Sequence, residues 1–196
     1  MFSLFLGIAA FVLYLIYDIN SFMWQKKVLS TFFLLGTLLL GIATGLDLWA
    51  AWTAGAFSDA IDILLLIATF FCFAMLIYSL FFALPFQETY TQPFSGRKVY
   101  RSGVYALCRH PGILFFWGTY LLLGLAALPS RMIVRSLVFS FLNLAYAYFQ
   151  DCVTFPKTFC DYSDYQRYVP FLIPTPHSVS MACKTLFSTQ DEEAIP

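Results

Sequence analysis

Two stretches of this 196-residue sequence carry most of the residue types that bind ligands or move charge. The first, Gln87 to Pro111, holds Gly96, then Arg97-Lys98-Val99-Tyr100-Arg101-Ser102-Gly103-Val104-Tyr105, then Cys108-Arg109-His110-Pro111, with Gly112 and Ile113 opening an apolar run. Proline suits the first turn of a helix, where its missing N–H costs nothing, so His110 falls about at the N-cap. A helix start offers unpaired N–H groups and a positive dipole end, and Arg109 adds a two-pronged donor. The chemistry implied is recognition of a carboxylate or other anion. The plainer alternative makes Arg101 and Arg109 headgroup anchors, but a histidine capping a helix at a membrane boundary is an expensive residue to place without a use.

The second stretch starts in a later apolar run. Asn143, Tyr146 and Gln150 recur at spacings of three and four, so they share one helix face, and Asp151 closes that stripe. A polar stripe in lipid should face protein or a water-filled cavity, and simple helix-to-helix hydrogen bonding is its alternative use. Phe155 to Pro174 follows, in which Tyr162, Tyr165 and Tyr168 recur every three residues before Val169-Pro170. That pattern predicts a short interfacial helix with its aromatic edge at headgroup depth.

The elements that must position these residues are membrane spans. With 60% hydrophobic, 20% aromatic and 11% charged residues, the chain has more apolar surface than one soluble domain of this size could bury. A bilayer core needs about 20 apolar helical residues to cross. Five segments meet or approach this: Met1 to Tyr17, Val28 to Leu46, Ile63 to Phe86, Gly112 to Ser130, and Met132 to Gln150, the last interrupted only by Arg135. The first is read as a span rather than a signal peptide, because no basic residue precedes it and no small-x-small site follows it before Asp18. Lys26, Lys27, Arg97, Lys98, Arg101, Arg109, Lys157, Arg167 and Lys184 all fall in segments on one side. The loop with Asp47, Asp59 and Asp62 holds no cation. The N-terminus is therefore expected outside and the C-terminus in the cytoplasm, with Arg131 and Arg135 dissenting.

Zero net charge and the lack of a Lys/Arg run exclude nucleic acid as a partner. The five cysteines, at 72, 108, 152, 160 and 183, form no CxxC pair, and His110 and His177 are the only histidines, which argues against a metal site; Cys72 lies in an apolar run and the others on the expected cytoplasmic side, where thiols stay reduced, so disulfides are not expected. The last two spans are joined by little more than Pro129 and Ser130, so these form an antiparallel hairpin whose cytoplasmic ends lie together. The expected fold is all-α and one domain overall. Residues 1–86 form three spans, 87–174 a functional region with a cytoplasmic loop, a hairpin and a short interfacial helix, and 175–196 a partly disordered tail.

Taken together, Gly103-Val104-Tyr105, Arg109-His110-Pro111 at a helix start, the hairpin, and Tyr162-Ser163-Asp164-Tyr165 leading to Val169-Pro170 resemble the isoprenylcysteine carboxyl methyltransferase and phospholipid methyltransferase superfamily of integral membrane enzymes. The resemblance spans Gln87 to Pro174; the first three spans match in hydropathy alone. It implies a site for S-adenosylmethionine (SAM) made by Arg97, Lys98, Val99, Tyr100, Gly103, Tyr105, Arg109, His110, Pro111, Gly112, Ile113, Gln150, Asp151, Tyr162 and Tyr165, with a lipid or lipidated molecule as methyl acceptor. This sequence departs from the family's pattern at several points. Gln150-Asp151 replaces an acidic pair, Tyr146 or Ala147 stands where the family has a substrate-side arginine, Ile113 replaces a tyrosine, and Phe159 or Cys160 replaces a glycine.

The mechanism implied is in-line displacement at the SAM methyl by an aligned oxygen or nitrogen about 3 Å away. Arg109 and the helix start would hold the methionine carboxylate, Gln150 or Asp151 its amino group, and Tyr105 the adenosine, while the acceptor approaches the face bearing Asn143 and Tyr146. Exclusion of water would strengthen these contacts. The closing Lys157, Tyr162, Tyr165 and Val169-Pro170 also match the spacing in NADPH-dependent sterol reductases, which have about twice as many spans. A noncatalytic membrane scaffold of the same fold is the reading from a different class.

Overall fold

In a computed structural model of the protein, the described residues are 1–83, 97–128 and 131–187. They form ten α-helices and three π-helical turns, with no strand among them. The helices are α1 (Phe2–Ile19), α2 (Lys27–Ser30), α3 (Phe32–Thr53), α4 (Ala60–Ile77), α5 (Val104–Leu107), α6 (Pro111–Ala126), α7 (Met132–Phe149), α8 (Phe155–Thr158), α9 (Tyr162–Tyr168) and α10 (Pro176–Phe187). The π-helical turns Asn20–Trp24, Tyr78–Phe82 and Gln150–Thr154 extend α1, α4 and α7.

Four helical stretches are long and apolar enough to cross a membrane: Phe2–Trp24, Lys27–Thr53, Ala60–Phe82 and Met132–Thr158. Helix α6, at 16 residues, is also apolar but shorter. Leu38, Ile42 and Trp49 on α3 and Leu64, Phe70 and Phe71 on α4 stay exposed, as expected of faces solvated by acyl chains. The chain is a multi-pass membrane protein in this coarse sense.

Packing groups the chain into two units. The first combines Met1–Ala74 with Phe115–Thr154. Within it α1 packs antiparallel to α3: Gly36 lies so close to Tyr14 and to the Ala10 carbonyl that a Cβ there would sit 2.9 Å and 3.0 Å from them, and the Tyr14 hydroxyl donates to Thr37 Oγ1 at 3.2 Å. Against α7, α1 runs parallel. A Cβ on Gly7 would overlap the Phe139 ring, and further along the Tyr14 ring lies 5.6 Å from that of Tyr146. Helices α6 and α7 are antiparallel, with Trp117 Nε1 donating to the Ser140 carbonyl at 2.9 Å and Gly124 packed on Ser136. Tyr120 on α6 shares a 2.7 Å hydrogen bond with Thr44 on α3, and Ala51, Leu123, Ala127 and Met132 form an apolar cluster with Leu66 of α4 packed on it. Successive long helices α1, α3, α4, α6 and α7 thus alternate in direction.

Several sequence expectations change here. Helix α3 runs on to Thr53, which moves Asp47 from a loop into a helix, where it pairs with Arg135 at 2.9 Å. Because its charge is matched inside the unit, Arg135 carries no weight as a positive-inside signal. Helix α1 continues past the end of the apolar run at Tyr17 and includes Asp18, which is buried. Pro129 and Ser130 lie outside the described residues, as do 87–96 and 188–196.

The second unit combines Met75–Leu114 with Phe155–Pro196, described over 75–83, 97–114 and 155–187. Its core is Tyr162, Tyr165 and Val169, with Val99, Phe155 and Phe159 packed against it. The expected aromatic edge at headgroup depth is therefore corrected: two of the three tyrosines turn inward and Tyr168 alone, at 61% exposure, faces outward. The first part of the expected tail is helical, as α10. Thr175 and Ser178 cap that helix reciprocally, Ser178 N–H donating to Thr175 Oγ1 at 3.2 Å and Thr175 N–H to Ser178 Oγ at 2.9 Å, with Pro176 at its first position.

Candidate functional site

The second unit joins the described part of the first polar stretch, 97–111, to the 155–174 part of the second. Asp161 is the hub: its carboxylate accepts from the Val99 N–H at 2.9 Å and from the Arg101 guanidinium at 2.7 Å, while Cys160 N–H donates to the Arg97 carbonyl at 3.0 Å. Arg101 is thus an internal ion-pair partner, half-buried, beyond any role as a headgroup anchor. Gly103 sits at φ +62°, a region that favours glycine, and its N–H donates to Thr185 of α10 at 3.0 Å.

Tyrosines tie the next layer together. The Tyr165 hydroxyl donates to the Tyr105 carbonyl at 2.6 Å, and the Tyr105 hydroxyl to the fully buried Ser79 carbonyl at 2.8 Å. Burial pushes the Tyr165 phenol well above its ordinary range, so it stays a donor at any physiological pH. The Tyr100 and Tyr105 rings meet edge to face at 6.4 Å.

At the start of α6 the backbone N–H groups of Arg109 and His110 donate to the carbonyls of Pro170 and Phe171 at 2.9 and 3.3 Å. Arg109 NH1 donates to the carbonyls of Gln166 and Val169 at 3.2 and 2.7 Å, at the C-terminal end of α9, and its guanidinium lies 5.7 Å from the Phe171 ring centroid. A cation there complements the negative end of α9, so Arg109 acts first as a positioning residue for the closing segment. The buried His110 ring stacks on Phe155 at 5.6 Å, and Pro111 is the first residue of α6, as the sequence indicates. Ile113 is buried and Gly112 packs near Leu80 and Ser79. Cys108 is wholly buried, and desolvation raises its thiol pKa to about 11, so it is no nucleophile.

The remaining expected site residues, Asn143, Tyr146, Gln150 and Asp151, belong to the first unit. There Gln150 Nε2 donates to the Tyr146 hydroxyl at 2.9 Å, Tyr146 packs on Tyr14, and Asp151 is buried in the π-helical turn. The stripe faces α1, and its main partner, Asp18, was not singled out from the sequence. A charged residue within the reach of a 23-residue apolar span was the available signal. No group of three His, Cys, Asp or Glu that could hold a metal occurs among the described residues. Compared with protein-family models, curated proteins and solved structures, the chain matches none of them.

Proposed function

We propose that the protein is a SAM-dependent methyltransferase of the membrane, acting on a lipid-like acceptor at the cytoplasmic face. The observation that carries this reading is the assembly in one unit of two stretches about 60 residues apart, by the Asp161–Arg101 pair, the Tyr165–Tyr105 bond and the Arg109 contacts. They are the stretches whose motifs resemble the methyltransferase superfamily. The side chains of this unit suit two features of SAM: Arg97, Lys98 and the α6 start offer positive charge to a carboxylate, and Tyr100 and Tyr105 offer aromatic edges to an adenine. Among its described residues Asp161 is engaged by Arg101 and Asp164 by Arg167 at 3.7 Å. Bound SAM would supply an electrophilic methyl on a sulfonium. The chain would contribute alignment and exclusion of water.

Five crossings, with the N-terminus outside, complete the proposal. The alternation in direction of α1, α3, α4, α6 and α7 supports it, because α7 can run parallel to α1 in a bilayer only if α6 returns the chain across. Neutralisation of Arg135 by Asp47 removes half of the dissent from the positive-inside pattern.

Membranes containing the protein, incubated with SAM labelled in its methyl group, should transfer label into the lipid extract, and Asp151→Ala, at the acid the resemblance singles out, should reduce it. Label in no lipid or lipidated fraction would leave the scaffold reading in its place.

A further inference from the structure

Where α1 and α7 begin, two cations share one groove. Arg131 immediately precedes α7 and Arg135 follows one turn later on the same face. Both line a groove of about 120 Å³ together with Val134 and with Met1 and Leu4 at the start of α1. The two helices run parallel, and each opens a stretch apolar enough to cross a membrane, Phe2–Trp24 and Met132–Thr158. The groove therefore sits at the level where a bilayer's hydrocarbon gives way to its headgroups. Met1 and Val134 are exposed, so it opens sideways to lipid.

The charges there do not cancel. Arg135 is matched by the buried Asp47 at 2.9 Å, whereas Arg131, exposed, pairs with no carboxylate among the described residues. One positive charge is left over. Helix α7 starts at the same point without a side-chain cap, so the positive end of an 18-residue helix adds to it. A guanidinium presents a planar fork of N–H donors that matches the oxygens of a phosphate. The groove's walls are almost wholly carbon, the arginines lining it with their aliphatic stems beside Met1, Leu4 and Val134. Carbon walls that end at a surplus cation suit a ligand that is apolar along its length and anionic at one end. A free phosphate would use the charge and waste the walls.

We infer that this groove binds an anionic phospholipid, with the phosphodiester at Arg131 and the first carbons of an acyl chain against Leu4 and Val134. A zwitterionic phospholipid carries the same phosphate, but its ammonium cancels the net charge on which the attraction depends. Arg131 thereby gains a use at the end of the spans where the positive-inside pattern leaves it unexplained. The site lies wholly within the first unit and does not rest on the methyltransferase reading.

The test uses the full chain in dodecyl maltoside with radiolabelled dioleoylphosphatidylglycerol. Saturable binding is expected, displaced by the unlabelled lipid and not by dioleoylphosphatidylcholine or millimolar inorganic phosphate. Arg131→Gln should weaken it roughly fivefold, the effect of one cation facing an anionic lipid. Lys27→Gln, which removes an exposed cation at the opposite end of the unit, should leave it unchanged. Displacement by phosphatidylcholine as effective as that by phosphatidylglycerol would overturn the site, and displacement by inorganic phosphate would overturn the lipid as its occupant. Absence of saturable binding, wild-type affinity in Arg131→Gln, or an equal loss in Lys27→Gln would also overturn it. If Arg131→Gln does not fold, the wild-type discrimination between the two lipids decides alone. SAM binding can fail with this result intact, and the reverse also holds.

Discussion

The Arg135 guanidinium lies 2.9 Å from the Asp47 carboxylate, joining α7 to α3 inside the apolar unit, with the two side chains 18% and 4% exposed. Breaking one half of a buried pair leaves an uncompensated charge and costs about 3–5 kcal/mol, whereas replacing both halves with apolar residues is often close to neutral. Arg135→Leu is therefore expected to lower the thermal midpoint in detergent sharply, and the Asp47→Leu, Arg135→Leu double variant to recover most of the loss. Additive losses in that double-mutant cycle would mean the pair is not coupled.

Asp161 gathers the Arg97–Tyr105 loop by one charged and one neutral hydrogen bond, at a site that is part-exposed. Solvent screening limits the charged bond to roughly 1 kcal/mol of global stability. Its local effect should be larger. Asp161→Ala is expected to leave the melting profile nearly unchanged while trypsin cuts at Arg97, Lys98 and Arg101 several-fold faster.

Cys108 and Tyr165 both have pKa values raised by burial. A group whose folded pKa exceeds its unfolded one contributes stability in full below the unfolded value and loses it as pH rises through the folded value. For Cys108 that window runs from the ordinary thiol value of 9.0 to about 11. The protein should lose stability progressively above pH 9, and Cys108→Ala should flatten the first part of that loss in melts recorded from pH 7 to 11. Tyr165 extends the loss to more alkaline pH. Maleimide at pH 7 should modify the exposed Cys152, Cys160 and Cys183 and spare Cys108.

Apolar run length made legible four stretches long and apolar enough to cross a membrane, because it follows from local composition. Pro111 marked the start of α6 by local chemistry alone. Pairings were not legible: Asp47 and Arg135 stand 88 positions apart, and nothing local in either predicts the other. Asp18 was missed because counting apolar residues stops at a charge, whereas a helix continues through one when another helix supplies donors. The tyrosine run showed its period but not its direction, since a spacing of three defines a face and only the core of the second unit decides which way that face turns. The Thr175, Pro176, Ser178 cap is local chemistry and so is legible in the sequence.

Equilibrium binding of labelled SAM to the detergent-purified protein, with NADPH and S-adenosylhomocysteine as competitors, bears most directly on the proposed activity. Saturable binding displaced by S-adenosylhomocysteine and not by NADPH is expected, with weaker binding in Asp151→Ala. Displacement by NADPH, or no SAM binding by a cooperatively folded protein, would contradict it.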